Sequence, residues 1–222
     1  MLWISNHFLL VAVLILAATS LGSAATLAQP PLLAEWSRGV GEGAHANLAF
    51  KFEVTFMKID VADIEARVTP ATAAALGALV QEGKLDKKRK NEAAELLLAA
   101  ETVAFRLVFL REGGLDRFLE GTRQHLEAAR NAGLLSAWEY STIWDGLQRT
   151  MVTLNERGAL AGDQLLYRVE PGKVRVMYLG DDGAPLVDTI HAGDFWARGI
   201  KGSFFSPGSR FRDKLIRSLE NS

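Results

Sequence analysis

The stretch AGDQLLYRVEPGKVRVMYLGDDGAPLVDTI, from Ala161 to Ile190, decides the fold. Gly162-Asp163 opens a strand, and Pro171-Gly172 turns the chain back into a second one. Asp181-Asp182-Gly183 turns that strand into a third. A short helical patch follows. Ser206-Pro207-Gly208 then makes a sharp stop before a closing amphipathic helix that ends at Leu219. Three strands joined by tight turns make an antiparallel meander, and such a sheet needs helices to cover its apolar face.

Working upstream, Phe50, Phe52, Val54 and Phe56 alternate with Lys51, Glu53 and Thr55, the period of a half-buried strand. At Phe56-Met57 the phase slips, so a bulge or a bend is expected there. Extended chain continues through Val68 until Thr69-Pro70 stops it. Residues 71–100 read as helices broken near Gly83, and Glu101 to Leu110 (ETVAFRLVFL) returns to strand chemistry. Leu115 to Ala132 and Leu134 to Arg157 read as two long helices separated by Gly133. The sum is an α+β protein, an antiparallel β-sheet with helices packed on one side.

The chain has 222 residues, 23 % of them charged, with a formal net charge of −1. Neither nucleic acid nor an anionic membrane is implied as a partner by that balance. With no cysteine, disulfides, thiolate catalysis and cysteine-ligated metals are excluded. The four histidines, His7, His45, His125 and His191, have no metal-ligand spacing, so no metal site is expected, and no cofactor motif is present. The glycine-rich GVGEG (Gly39 to Gly43) lacks the strand and lysine of a phosphate loop. The basic run Lys84, Lys87, Lys88, Arg89 and Lys90 reads as the solvated start of a helix.

Phe8 to Ala18 (FLLVAVLILAA), followed by TSLGSAA, has the form of a secretory signal peptide cut after Ala25 or Ala28. Export to the periplasm, with no membrane span after cleavage, is the expectation. The alternative is an uncleaved N-terminal anchor, since MLWISNH carries no lysine or arginine. The division expected is 1–28 signal peptide, 29–46 irregular lead-in rich in Pro and Gly, and 47–222 a single domain.

The order of a Gly-Asp strand, a Pro-Gly turn and an SPGSR-initiated last helix resembles the chalcone isomerase family, in particular its exported bacterial branch. The resemblance implies a chalcone isomerase-like fold with a cleft between sheet and helices. It also supplies a test of activity. The family segment of type KFTAIGVYL is matched by Met57 to Ala66 (MKIDVADIEA), where Lys58 keeps the lysine but Asp60 takes the threonine position. The family arginine would fall near Leu48, and none lies there; Arg198 stands where the family has a small hydroxyl residue. Ring closure of a phenolate onto an enone needs a cation and neutral hydrogen-bond donors. That set is unmatched, so the flavonoid reaction is not expected.

What the resemblance leaves is a binding cleft, and non-catalytic relatives bind fatty acids. The candidate ligand-binding residues are Arg106, Phe118, Trp138, Tyr140, Trp144 and Arg198, the arginines to meet a carboxylate and the aromatics to line the cleft. The expected partner is therefore a lipid-like or carboxylated small molecule. Two alternatives stay open: an isomerase-type enzyme acting on a carbonyl compound through Asp60 or Tyr140, and a cell-envelope scaffold with no ligand.

Overall fold

Six runs of alternating apolar residues pair side by side in chain order as one antiparallel sheet. The strands are β1 (Asn47–Val54), β2 (Ile59–Val68), β3 (Val103–Phe109), β4 (Gln164–Glu170), β5 (Lys173–Leu179) and β6 (Pro185–Ala192). The computed structural model describes residues 31–54, 59–81 and 84–221. The signal-peptide stretch, the phase slip at Phe56-Met57, Lys58 and the break at Gly83 lie outside the described residues. Within β1 the register shifts between Phe52 and Glu53. The turn at Pro171-Gly172 is as read: Glu170 pairs with Lys173, and Gly172 takes φ +73°, which only glycine adopts freely.

Seven α-helices stand among the described residues: α1 (Pro31–Trp36), α2 (Pro70–Gln81), α3 (Lys87–Ala99), α4 (Leu115–Asn131), α5 (Ala137–Met151), α6 (Asp194–Phe205) and α7 (Arg212–Ser218). The basic run opens α3, where Asp86 caps the helix by accepting from the Arg89 N–H. The second long helix is shorter at both ends than its apolar pattern suggests. It starts at Ala137 because Ser136 and Glu139 form a reciprocal capping box. It gives way at Val152 to a 3₁₀ turn, so Arg157 is not helical.

Helix α6 is the keystone of the covered face, buried along most of its length from Trp196 to Phe205. Its glycines let neighbouring helices come close. A Cβ on Gly202 would lie 2.7 Å from Cβ of Ala129 in α4. Phe205 and Phe204 meanwhile pack on Phe105 of the sheet, the latter stacked at 4.0 Å. Each fully buried side chain of this kind contributes about 1.5–3 kcal/mol by leaving water.

The other face of the sheet is not bare, which amends the one-sided picture. Helix α1 lies there, inside the stretch expected to be an irregular lead-in. Its Trp36 is 2 % exposed and sits on Ala104, Leu166, Met177 and Leu179. The indole N–H donates to the carbonyls of Phe105 (3.0 Å) and Tyr167 (3.1 Å). The Arg168 guanidinium holds the carbonyls of Glu35, Trp36 and Arg38 from below. Among the described residues no helix is long and apolar enough to cross a membrane.

Candidate functional site

Between the sheet and the α4–α6 layer lies a cavity of about 580 Å³. That volume is in the range of small-molecule sites, roughly 300–1,000 Å³. Strand periodicity builds its floor: Ile64 of β2, Leu107 and Phe109 of β3, and Leu165 and Tyr167 of β4 all point to one face. Two aromatic pairs flank it. Phe118 of α4 stands edge-on to Phe109 at 5.6 Å, and Phe211, just before α7, stands edge-on to Phe52 of β1 at 5.2 Å.

The rim has a different chemistry. Arg111, Arg117 and Arg210 surround it, together with Glu112. All three arginines are exposed, and among the described residues none has a carboxylate partner. Some arginines elsewhere are engaged, Arg123 with Glu120 and Glu127 and Arg175 with Glu35 and Asp188, while Arg38, Arg149 and Arg217 likewise have no carboxylate partner among the described residues. With its three arginines and Glu112, the rim carries excess positive charge.

A buried ion pair fixes the loop behind this rim. Asp163 is fully buried, and its carboxylate accepts from the Arg157 guanidinium (2.8 Å), the Leu160 N–H (2.8 Å) and the Tyr178 hydroxyl (2.9 Å). Burial pushes its pKa up, but these three donors outweigh burial and hold it below the ordinary carboxylate value. The clamped loop presents Ala159, which exchanges two backbone hydrogen bonds with Gly113 at the rim. Gly158 must be glycine: it has φ +70°, and a Cβ would lie 2.7 Å from the Gly113 carbonyl oxygen.

Besides Gln124, four polar side chains line the cavity. Thr122 and Ser203 donate to carbonyls of their own helices. His125 of α4 stacks on Phe211 at 3.8 Å. Burial, aided by the nearby Arg210 charge, pushes its imidazole pKa down to about 4, so the ring is neutral at pH 7. Tyr167 is 4 % exposed, and burial raises its phenol pKa well above the usual value.

Of the six ligand-binding candidates read from sequence, Phe118 lines the cavity and five stand elsewhere. Arg106 alternates with Phe105 and Leu107, so it projects from the opposite sheet face, bonded to Gln164 at 2.9 Å and near Glu65. Trp138 is 68 % exposed beside Phe195. Tyr140 lies under the Arg130 guanidinium with its hydroxyl toward Glu127. Trp144 packs at the edge of the main core, and Arg198 donates to Glu139 and the Leu134 carbonyl. Of α5, only Leu147 lines the cavity; Tyr140 and Trp144 lie on the same helix stripe but nearer its N-terminus, and Trp138 is on the opposite face. Asp60 is in β2, opposite Glu53, but its side chain lies outside the described residues. The residues that sequence reading passed over are Arg111, Arg117, Arg210, His125 and Tyr167. Two had a signal: Tyr167 is two places from Leu165 in a strand, and His125 is seven from Phe118 on one helix face.

No protein-family model matches the chain, and no curated protein matches its sequence. Among solved structures, the chain is similar to the crystal structure of a fatty-acid binding protein from Arabidopsis thaliana. The TM-score is 0.48 at 13 % identity, over 83 % of this chain and 92 % of that one. A likeness of that score and identity says nothing of what this chain binds.

Proposed function

We propose that this protein binds a small molecule with an apolar body and a carboxylate, body in the cavity and carboxylate at the rim. The observation that carries the reading is the pairing of an aromatic-walled cavity of about 580 Å³ with three rim arginines that have no carboxylate partner among the described residues. An apolar chain is drawn in by burial alone. The arginines add discrimination: guanidinium forks match carboxylate geometry, and their contribution at an exposed rim is about 0.2–1 kcal/mol each. A scaffold role for the same face would be served by a filled interface, and here Phe, Leu and Ile side chains stand around open space.

Two further elements belong to the same reading. The chalcone isomerase resemblance, drawn from the order of strands, turns and last helix, makes such a cleft the expected ligand site. Export is supported by the apolar run from Phe8 to Ala18 and the small residues after it. N-terminal sequencing of the protein from its own cells tests cleavage of the signal peptide: a chain beginning at Thr26 or Gln29 supports it, and an intact Met1 overturns it in favour of an N-terminal anchor.

The binding reading is tested with hexadecanoate and hexadecanol, measured by calorimetry on the wild type and on Arg111→Gln/Arg117→Gln/Arg210→Gln. The wild type is expected to prefer the acid by several-fold to tens of fold, and the triple variant to bind both alike. Equal affinity for acid and alcohol in the wild type, or uptake of neither, overturns it.

A further inference from the structure

The Tyr167 hydroxyl opens on the cavity and has no hydrogen-bond partner among the described residues. Buried polar groups in folded proteins are nearly always hydrogen-bonded, and one that is not calls for an explanation. The protein follows that rule at most such sites, His45 Nδ1 and Arg212 Nε being exceptions among the described residues: the buried Tyr178 hydroxyl donates to Asp163 at 2.9 Å, and the Trp36 indole N–H reaches two carbonyls. In the cavity itself, Ser203 and Thr122 give their protons to the Ile200 and Phe118 carbonyls. Tyr167 differs. It lines the cavity at 4 % exposure, its ring edge-on to Phe204 at 6.3 Å, and its hydroxyl has no hydrogen-bond partner among the described residues.

Its depth follows from the sheet register. Tyr167 pairs with Phe105, while the rim loop leaves β3 after Phe109, whose N–H bonds the Asp163 carbonyl. Four residues of strand at about 3.4 Å each put Tyr167 roughly 13 Å inside the rim. Rings line the way. His125 stacks on Phe211 at 3.8 Å, Phe211 meets Phe204 at 5.3 Å, and Phe204 meets Tyr167.

We propose that the bound molecule carries a second, neutral oxygen part-way along its apolar chain, a hydroxyl or keto group, which accepts a hydrogen bond from Tyr167 Oη. This rests on the binding reading above. The chemistry of the site selects a neutral acceptor. Burial holds the proton on the phenol, so it donates, and the cavity's cations, Arg111, Arg117 and Arg210, are all at the rim. A carboxylate at the depth of Tyr167 would be desolvated with no counter-charge. A plain alkyl chain would leave the hydroxyl unsatisfied.

The test uses hexadecanoate and a series of hexadecanoates bearing one hydroxyl or one keto group at successive positions, on the full chain and on Tyr167→Phe. One position in the series is expected to bind the wild type roughly three- to tenfold more tightly than hexadecanoate, the worth of one neutral hydrogen bond. Tyr167→Phe should lose that preference and bind hexadecanoate itself several-fold more tightly, because the plain chain no longer leaves a hydroxyl unsatisfied. Hexadecanoate binding with no preferred position, or a preference that survives in Tyr167→Phe, overturns this inference alone. If neither hexadecanoate nor any member of the series binds the folded wild type, the binding reading itself fails, and this inference fails with it. The wild-type series reads the preference without relying on the variant's folding.

Discussion

Acidification should weaken this protein through buried imidazoles, of which His125 stands in the cavity wall. His191, whose pKa burial also lowers, is common to the wild type and His125→Phe and cancels in their difference. His125 is packed against Phe211 with Arg210 nearby, and its folded pKa is about 4 against an ordinary 6.5. As pH falls through 6.5 the unfolded chain takes up a proton at this position, while the folded protein does not until about pH 4. Between those values the unfolded state binds more protons, so stability drops as pH drops. Above pH 6.5 both states hold a neutral ring and the contribution is constant. At 1.36 kcal/mol per pKa unit, the loss accumulated by pH 4 is roughly 3 kcal/mol. The assay is urea denaturation at half-unit steps from pH 8 to pH 4, on the wild type and on His125→Phe. Phenylalanine keeps a flat ring on Phe211 and cannot titrate. Asp163 and every other carboxylate are common to both proteins and cancel in the difference. The stability difference between them should be flat from pH 8 to about 6.5, then move against the wild type by roughly 3 kcal/mol. Parallel curves throughout would refute the assignment of a buried neutral imidazole to the cavity wall.

Four substitutions extend the account. Asp163→Ala strips the acceptor from Arg157, Leu160 and Tyr178, and should cost about 3–5 kcal/mol in urea denaturation; a loss under 1 kcal/mol would contradict a buried clamp. Gly202→Ala puts a methyl 2.7 Å from Cβ of Ala129, which cannot swing away, so α4 and α6 must separate at a cost of about 1–3 kcal/mol. Trp36→Phe removes the indole N–H from two carbonyls and should lose about 1–3 kcal/mol; a neutral result would return residues 31–46 to the status of a lead-in. Gly121→Trp is the inverse case. Nothing lies within 4 Å of an added Cβ there, so the helix should keep its stability while the indole blocks the cavity and abolishes hexadecanoate uptake.

The sheet was legible because period-2 alternation and Pro-Gly or Asp-Gly turns are local signals, and from Asn47 to Ala192 those signals agree with the pairing. Helix ends were less so. The capping box of Ser136 and Glu139 was present in the sequence and overrode an apolar pattern that ran on from Leu134. Alpha1 was hidden for another reason. Six residues are too few to show helical periodicity, and α1 is stabilised by Trp36 meeting carbonyls 69 and 131 positions away. The site was hardest. Residue type pointed to Trp138, Tyr140 and Trp144, but where along α5 the cavity lies is set by its packing against α6, where Gly146 abuts Trp196, and only Leu147 reaches it. Arg106 could have been assigned to the outer face, since its neighbours Phe105 and Leu107 claim the inner one. The rim arginines are brought together by the Asp163 clamp and the turn into α7, contacts no local pattern encodes.

The most direct measurement is native mass spectrometry of the protein purified from its own cells, followed by solvent extraction and analysis of what it releases. The account predicts one equivalent of a carboxylate with a long apolar chain, displaced by added hexadecanoate. An empty protein that also takes up no hexadecanoate would contradict it.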